Sequence, residues 1–524
     1  MMSLFPLCLG RPGRRHLLPL SLAMVMAITL PWLLVASPAH AADRMAAGAA
    51  GAAPDDRSTP PEPQPTRPFA LPTLHEQRLA NGLTVVVAPR PDLPLVSITL
   101  LVRAGPEVDP PGHPGVAAMA TNLWTKGAVR GGRQVPAAEL ARQAEALGGA
   151  LDSHSSWGAG TLAMTVSSPQ VDEALALMSD VLRRPVLAAD ELERARTQAL
   201  DGLRVTLSNP AEVAALVLRR SFWGDGPYGA AASPAAIKRL TRAEMMAFQA
   251  LWVRPDRVAL VLAGDITPER ALALAQRLLG DWRAPGAPVL SLASAPAASL
   301  AAPLVLIDMP GSGQSGVAVA APFVSNAAAD GASRYVGLVA NAVLGGGYSA
   351  RLNQEVRIKR GLSYGAFSSV ETHAPGGMFS AQSQTQHATA AQVLKLVREQ
   401  ITQLADAPLG ASELAARQAT LVGGFVRRLE TNGGMGALLV GQLAQGRPLA
   451  ELGNFVPAVL AVTPAQVQSF ARQYWQAGAL RAVVVGDLGA AGDSLAAAAT
   501  PTTPATLRLT LGELDLEQAG LRKP

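Results

Sequence analysis

The chain has 524 residues, 49% of them hydrophobic, and a formal net charge of +5. At ~150 residues per domain that length exceeds a single core, and the apolar content excludes wholesale disorder. The one cysteine, Cys8, lies in the N-terminal leader, so a chain without the leader has neither a disulfide nor a thiolate ligand.

Arg11, Arg14 and Arg15 precede an apolar run over 17–35 that Pro31 interrupts, and Ala39-His40-Ala41 supplies a small-x-small cleavage pattern. Residues 1–41 therefore read as a signal peptide, with the mature chain starting at Ala42. Cleavage removes three arginines and no acid, which lowers the net charge to +2 (41 basic, 39 acidic). That balance gives no support to a nucleic-acid role. No later stretch of ~20 residues is apolar enough to span a bilayer. An exported protein without a membrane span is expected, and the periplasm is the expected compartment. Residues 42–70, rich in Ala, Pro and Asp, read as a flexible tether.

A first domain is expected over 71–283. Asn81-Gly82 marks a hairpin-type turn before a strand over 83–88, and a longer apolar strand follows over 96–103. Residues 115–125 read as a helix with Val116, Met119, Ala120 and Leu123 on one face. A helix over 136–147, paired strands over 150–154 and 161–167, and helices over 171–182, 189–207, 210–222 and 241–253 come next. A strand over 257–263 and a helix over 268–279 close the unit. Residues 284–303 are Pro, Ala and Ser without a period and read as a linker.

The pattern then restarts, in a second domain expected over 304–490. Strands are expected over 304–309 and 316–321, a helix over 328–344, further strands over 362–383, helices over 388–404, 411–430 and 463–475, and a strand over 482–485. Residues 491–524 read as a loosely held tail. The restart is a repeat: Thr241, Phe248, Gly264 and Asp265 recur as Thr463, Phe470, Gly486 and Asp487, all displaced by 222. A repeat of that length implies duplicated domains rather than a solenoid. Runs of strands followed by runs of helices argue for an α+β fold, here two domains that each pair an antiparallel sheet with covering helices.

Within the second domain, residues 345–364 read GGGYSARLNQEVRIKRGLSY. Ser349 is the expected N-cap and Gly361 the expected C-cap of a short basic helix. Arg357 and Tyr364 stand seven residues apart across the helix–strand junction. Spacing alone is equally consistent with a solvated surface arginine and an ordinary strand tyrosine. The five histidines beyond the leader (His75, His113, His154, His373 and His387) show no helical ligand spacing, and no Gly-x-Ser-x-Gly elbow sits in a strand–turn–helix setting.

This stretch resembles the arginine–tyrosine element in the C-terminal half of the insulinase/pitrilysin family of zinc peptidases. The match comprises the glycine run, Arg351-Leu352, Arg357, the Lys-Arg-Gly-Leu run and Tyr364, and by order of elements the likeness extends over roughly 75–490. The family's zinc motif is an inverted His-x-x-Glu-His on the first helix. Residues 111–128, PGHPGVAAMATNLWTKGA, resemble that region, with Ala118 at the first histidine, Thr121 at the catalytic glutamate and Asn122 at the second histidine. The later glutamate ligand falls near Ala199, where neither Ala199 nor Leu200 carries a carboxylate. The resemblance therefore implies a chain that binds no zinc of its own.

Some members of the family are heterodimers in which one subunit carries the zinc motif and the other the arginine–tyrosine pair. The resemblance implies that this chain is the second kind. It would partner a homologous zinc-bearing subunit, share a chamber for unfolded peptides, and place Arg357 and Tyr364 at the partner's site in trans. A structural or peptide-binding member without a part in proteolysis is the alternative, and a metallopeptidase with unusual ligands the third reading.

Overall fold

The computed structural model describes residues 71–284, 286, 299–327, 331–492, 495, 506–518 and 520–523. The expected signal peptide and tether, most of the linker and part of the tail lie outside the described residues. The strands in chain order are β1 (His75–Arg78), β2 (Thr84–Pro89), β3 (Leu95–Val102), β4 (Gly127–Arg130), β5 (Arg133–Pro136), β6 (Asp152–Ser156), β7 (Ala159–Ser167) and β8 (Val258–Gly264), then β9 (Leu304–Asp308), β10 (Ser315–Phe323), β11 (Ser363–His373), β12 (Gly376–Thr385), β13 (Arg481–Gly486) and β14 (Leu507–Thr510).

Two six-stranded sheets form, ordered β1-β2-β8-β3-β7-β6 and β11-β12-β10-β13-β9-β14, with β4 and β5 as a separate hairpin. Without the added edge strands β1 and β14, the orders are β2-β8-β3-β7-β6 and β9-β13-β10-β12-β11, which is one topology used twice. In each copy the first strand pairs parallel with the last, Thr84 opposite Ala259 and Leu304 opposite Ala482, and the inner pairs are antiparallel. The repeat extends to local chemistry. Thr241 with Glu244, and Thr463 with Gln466, close reciprocal capping boxes on equivalent helices. Phe248 and Phe470 are buried in corresponding cores.

The central strands show why two α+β units make one body. In β8, Val258, Leu260 and Leu262 face the first domain's own helices, and Ala259, Val261 and Ala263 face the other way. That second face is covered by the Asn432–Ala444 helix of the second half, through Met435, Leu439 and Leu443. The second sheet is treated in the same way. Ala318, Ala320, Val483 and Val485 are covered by Val213, Ala214, Val217 and Leu218 of the Pro210–Trp223 helix of the first half. Each sheet thus buries one face on its own helices and the other on a helix lent by its counterpart. Burying one such Val or Leu contributes roughly 1.5–3 kcal/mol, so the exchanged helices are a major part of the stability of both halves.

Polar ties follow the exchange. Asn432 Nδ2 donates to Leu95 O at 2.8 Å, and Arg90 Nη1 to Leu429 O at 2.5 Å. Glu371 on β11 accepts two bonds from Arg219, at 2.9 and 2.5 Å, and one from Trp223 Nε1 at 3.0 Å. His373 Nε2 lies 3.5 Å from the same carboxylate, and its ring stacks on Tyr228 with centroids 3.9 Å apart. Burial pushes the Glu371 carboxyl up, but His373 and Arg219 outweigh it and hold it at about 2. A depressed folded-state value stabilises fully above the ordinary glutamate range and is lost as pH falls through about 2. The wild-type chain is therefore expected to lose about 2–3 kcal/mol of unfolding free energy between pH 6 and pH 2 through this group alone. Urea titrations at both pH values check this: Glu371→Gln should be less stable at pH 6 and show a shallower acid dependence.

The tail departs from expectation. Leu507–Thr510 adds to β9 as a parallel strand, Leu516 and Leu521 are buried beneath the Pro210–Trp223 helix, and Arg239 pairs with Glu517 at 2.5 Å. The Ala/Thr composition hides these few leucines, which are what hold the segment.

Candidate functional site

The zinc-motif positions come first in the chain. The Val116–Leu123 helix starts after Gly115, whose φ of 105° needs glycine, and Asp109 caps it by accepting from Gly115 N and Ala117 N, both at 2.7 Å. The helix packs against Ala189–Ser208, which carries Ala199. Ala118 and Asn122 are exposed, one turn apart, whereas Thr121 is 1% exposed and points inward beside Gly160 of β7. Its hydroxyl has no hydrogen-bond partner among the described residues. A methyl, an inward hydroxyl, an amide and a second methyl at Ala199 do not fit zinc, which takes imidazole, thiolate or carboxylate. No group of three His, Cys, Asp or Glu able to hold a metal occurs among the described residues.

The histidines are dispersed. His113 contacts Glu244 at 2.5 Å, His154 is exposed on β6, and His387 lies 2.8 Å from Ser315 Oγ and 2.7 Å from Ser312 O. His373 belongs to the contact between the halves.

The arginine–tyrosine stretch forms a built site. Gly345 lies so close to β11 that a Cβ there would sit 2.4 Å from Ser368 N, so only glycine lets the loop cross. Asn353, fully buried, donates to Tyr348 O at 2.6 Å and accepts from Ala366 N at 3.3 Å, which pins the loop to the strand. Arg351 makes a two-pronged bond to Glu413, both arms 2.8 Å, and Arg417 binds Ser349 Oγ and O at 3.0 and 2.6 Å. Ser349 is therefore not the N-cap expected from the sequence. The chain turns at Gly347–Ala350, the helix begins at Arg351, and Ala350 occupies the cap position without a side-chain bond.

The segment then widens. Arg351–Asn353 is α-helical, but Gln354–Ile358 is π-helical, with Lys359 N bonded to Gln354 O five residues back at 2.9 Å. Gly361 does end the helix, at φ 62°, with Gly361 N bonded to Arg357 O and Leu362 N to Val356 O, both 2.9 Å. On β11 the register shifts between Ser363 and Ala366, and Ser363 Oγ bridges Gly365 O and Gln384 O. The bulge turns Tyr364 out to 89% exposure.

Arg357 and Tyr364 are brought together: the guanidinium carbon stands 4.6 Å from the Tyr364 ring centroid. A second ring, that of Tyr348, lies 5.0 Å from the same carbon. A guanidinium close to two aromatic rings is attracted by their π electrons and keeps N–H donors for other partners. Among the described residues no hydrogen bond or ion pair engages the Arg357 side chain. The spacing of Tyr348 carried no helical period to announce it, because a turn and a π segment intervene. Chemically the trio offers hydrogen-bond donors and a positive charge, and no group that activates water.

Two family models match the chain, the insulinase peptidase family M16 over residues 84–233 and the peptidase M16 inactive domain over 239–421. An uncharacterized zinc protease of Mycobacterium tuberculosis is 25% identical over 387 residues, covering 71% of this chain and 83% of the relative. One from Streptomyces coelicolor is 23% identical over 406 residues, covering 76% and 87%. A crystal structure described as the peptidase M16 inactive domain from Pseudomonas fluorescens matches with a TM-score of 0.72 at 26% identity, over 79% of this chain and 98% of that one. A Helicobacter pylori protease shares the fold, with a TM-score of 0.73 at 18% identity over 80% and 100%.

Proposed function

The chain belongs to the insulinase family, peptidase family M16, and from that premise we propose that it is an exported, non-catalytic subunit of a two-chain zinc peptidase. It supplies donors to a site whose metal and water-activating base reside on a homologous partner. The observation that carries the reading is an asymmetry. The four metal-site positions hold Ala118, Thr121, Asn122 and Ala199, whereas Arg357, half-buried, lies against two exposed tyrosines, Tyr348 and Tyr364. In this role Tyr364 donates to the oxyanion of the tetrahedral intermediate, and Arg357 holds a backbone carbonyl of an extended peptide. The partner, the peptide substrate and the export route all belong to this proposal. Among the described residues no helix is long and apolar enough to cross a membrane.

The test is reconstitution. The purified chain alone is expected to retain less than a tenth of an equivalent of zinc by metal analysis and to leave quenched oligopeptides uncut. Mixed with its zinc-bearing homologue, it should raise hydrolysis well above that of the homologue alone. A lone preparation that digests peptides and is silenced by a chelator ends the proposal.

A further inference from the structure

The second half contains a cavity of ≈ 530 Å³ between the helices Gly331–Leu344, Ala411–Leu429, Asn432–Ala444 and Glu451–Leu460. That is the size range of small-ligand sites. Its place in the repeat is specific. Leu421 on its wall lies 222 residues beyond Ala199, the displacement of the repeat itself. The helix order around it repeats that of the first half. The cavity therefore lies against the second repeat's equivalent of the helix that carries Ala199.

Its lining differs in kind from a metal site. Arg334, Arg427 and Arg428 contribute three cations. The Arg427 head lies across helix glycines, with Nη1 3.8 Å from where a Cβ of Gly423 would be. Phe425 and Phe455 stack with centroids 4.3 Å apart, and Tyr335 meets Phe455 edge-on at 6.0 Å. The one acid on the wall, Glu451, is engaged by Arg447 at 2.9 Å. Among the described residues none of the three arginines has a carboxylate at ion-pair distance. Burial also draws the Arg334 guanidinium below the usual arginine range, although the Tyr335 hydroxyl and the Glu451 carboxylate nearby oppose it.

The geometry points to a binding site for a carboxylate carried on an apolar or aromatic group, supplied either by the C-terminal residue of a peptide or by a free arylalkyl acid. Guanidinium groups fork onto the carboxylate, and the stacked rings take the apolar part. The site lies wholly within this chain and does not rest on the trans-site reading.

Fluorescein-labelled Ala-Ala-Phe-Phe with a free C-terminal carboxylate, and the same peptide as its amide, are titrated against the full chain without any partner. Anisotropy should saturate with the acid, and the amide should bind at least about tenfold more weakly. Arg334→Gln and Arg428→Gln should each weaken the acid at least about fivefold, with Tyr364→Phe unchanged. Displacement by 3-phenylpropionate as effective as by unlabelled peptide assigns a free acid, and displacement by peptide alone assigns a chain terminus. Arg428 is exposed, so its variant reports even where Arg334→Gln fails to fold. No saturable binding, equal affinity for acid and amide, or wild-type affinity in the folded arginine variants overturns the inference. None of these outcomes bears on turnover in the reconstituted pair, which reads Tyr364.

Discussion

Replacing Tyr364 by Phe is expected to lower the turnover of the reconstituted pair by at least about tenfold, and by as much as 10²–10³ if the hydroxyl is the main oxyanion donor. The effect should fall on kcat and leave KM nearly unchanged, because a donor aimed at the tetrahedral oxyanion binds the transition state and not the ground state. Complex formation and unfolding midpoint should not move. Tyr364 is 89% exposed and its hydroxyl makes no bond in the chain among the described residues, so the substitution removes nothing that holds the fold. Arg357→Ala should behave differently and raise KM, since a guanidinium on a substrate carbonyl acts before and during the reaction alike. It also removes the cation from the two tyrosine rings that lie 5.0 and 4.6 Å from it. Steady-state kinetics with a quenched peptide separates the two. A Tyr364→Phe pair with wild-type turnover removes the tyrosine from the chemistry.

The largest stability effect is expected at Gly316. This glycine lies on β10 where the Pro210–Trp223 helix crosses the second sheet, and a Cβ there would sit 2.5 Å from Pro210 O and 2.6 Å from Ala211 Cα. Both neighbours are backbone, so no side chain can swing aside. The helix itself would have to lift from the sheet it covers. Overpacking usually costs about 1–3 kcal/mol. Here the displaced element seals an entire sheet face, so Gly316→Ala should cost about 3 kcal/mol or more in urea unfolding. Gly313→Ala is the control: its Cβ meets nothing within 4 Å, and the midpoint should hardly change.

Much of the fold was legible because local and tertiary signals agreed. The recurrence of Thr241 as Thr463, the turn at Asn81-Gly82 and the helices expected over 171–182 and 189–207 all fall within a residue or two of the observed elements. The Asn432–Ala444 helix escaped. Gly433, Gly434, Gly436 and Gly441 lower its intrinsic helicity, and packing on the first sheet supplies what propensity lacks. Its reach into the other half lies 337 residues away along the chain, from Asn432 to Leu95, and no local pattern encodes such a contact. At the site, the pairing of Arg357 with Tyr364 was readable from a motif. The aim of each side chain was not, because it depends on a π turn and a bulge that leave no periodic trace. The cavity beside Arg334 was hidden for a related reason, since its cations and rings come from separate helices.

Because each repeat roofs the other's sheet, the connecting segment between them is not what keeps them together. Cut there, the two pieces should stay associated and migrate as one species under native conditions; made alone, either would show a bare valine-and-leucine surface to solvent and precipitate. The two copies of the repeat are co-dependent. Neither should tolerate being deleted, shuffled or transplanted as a cassette.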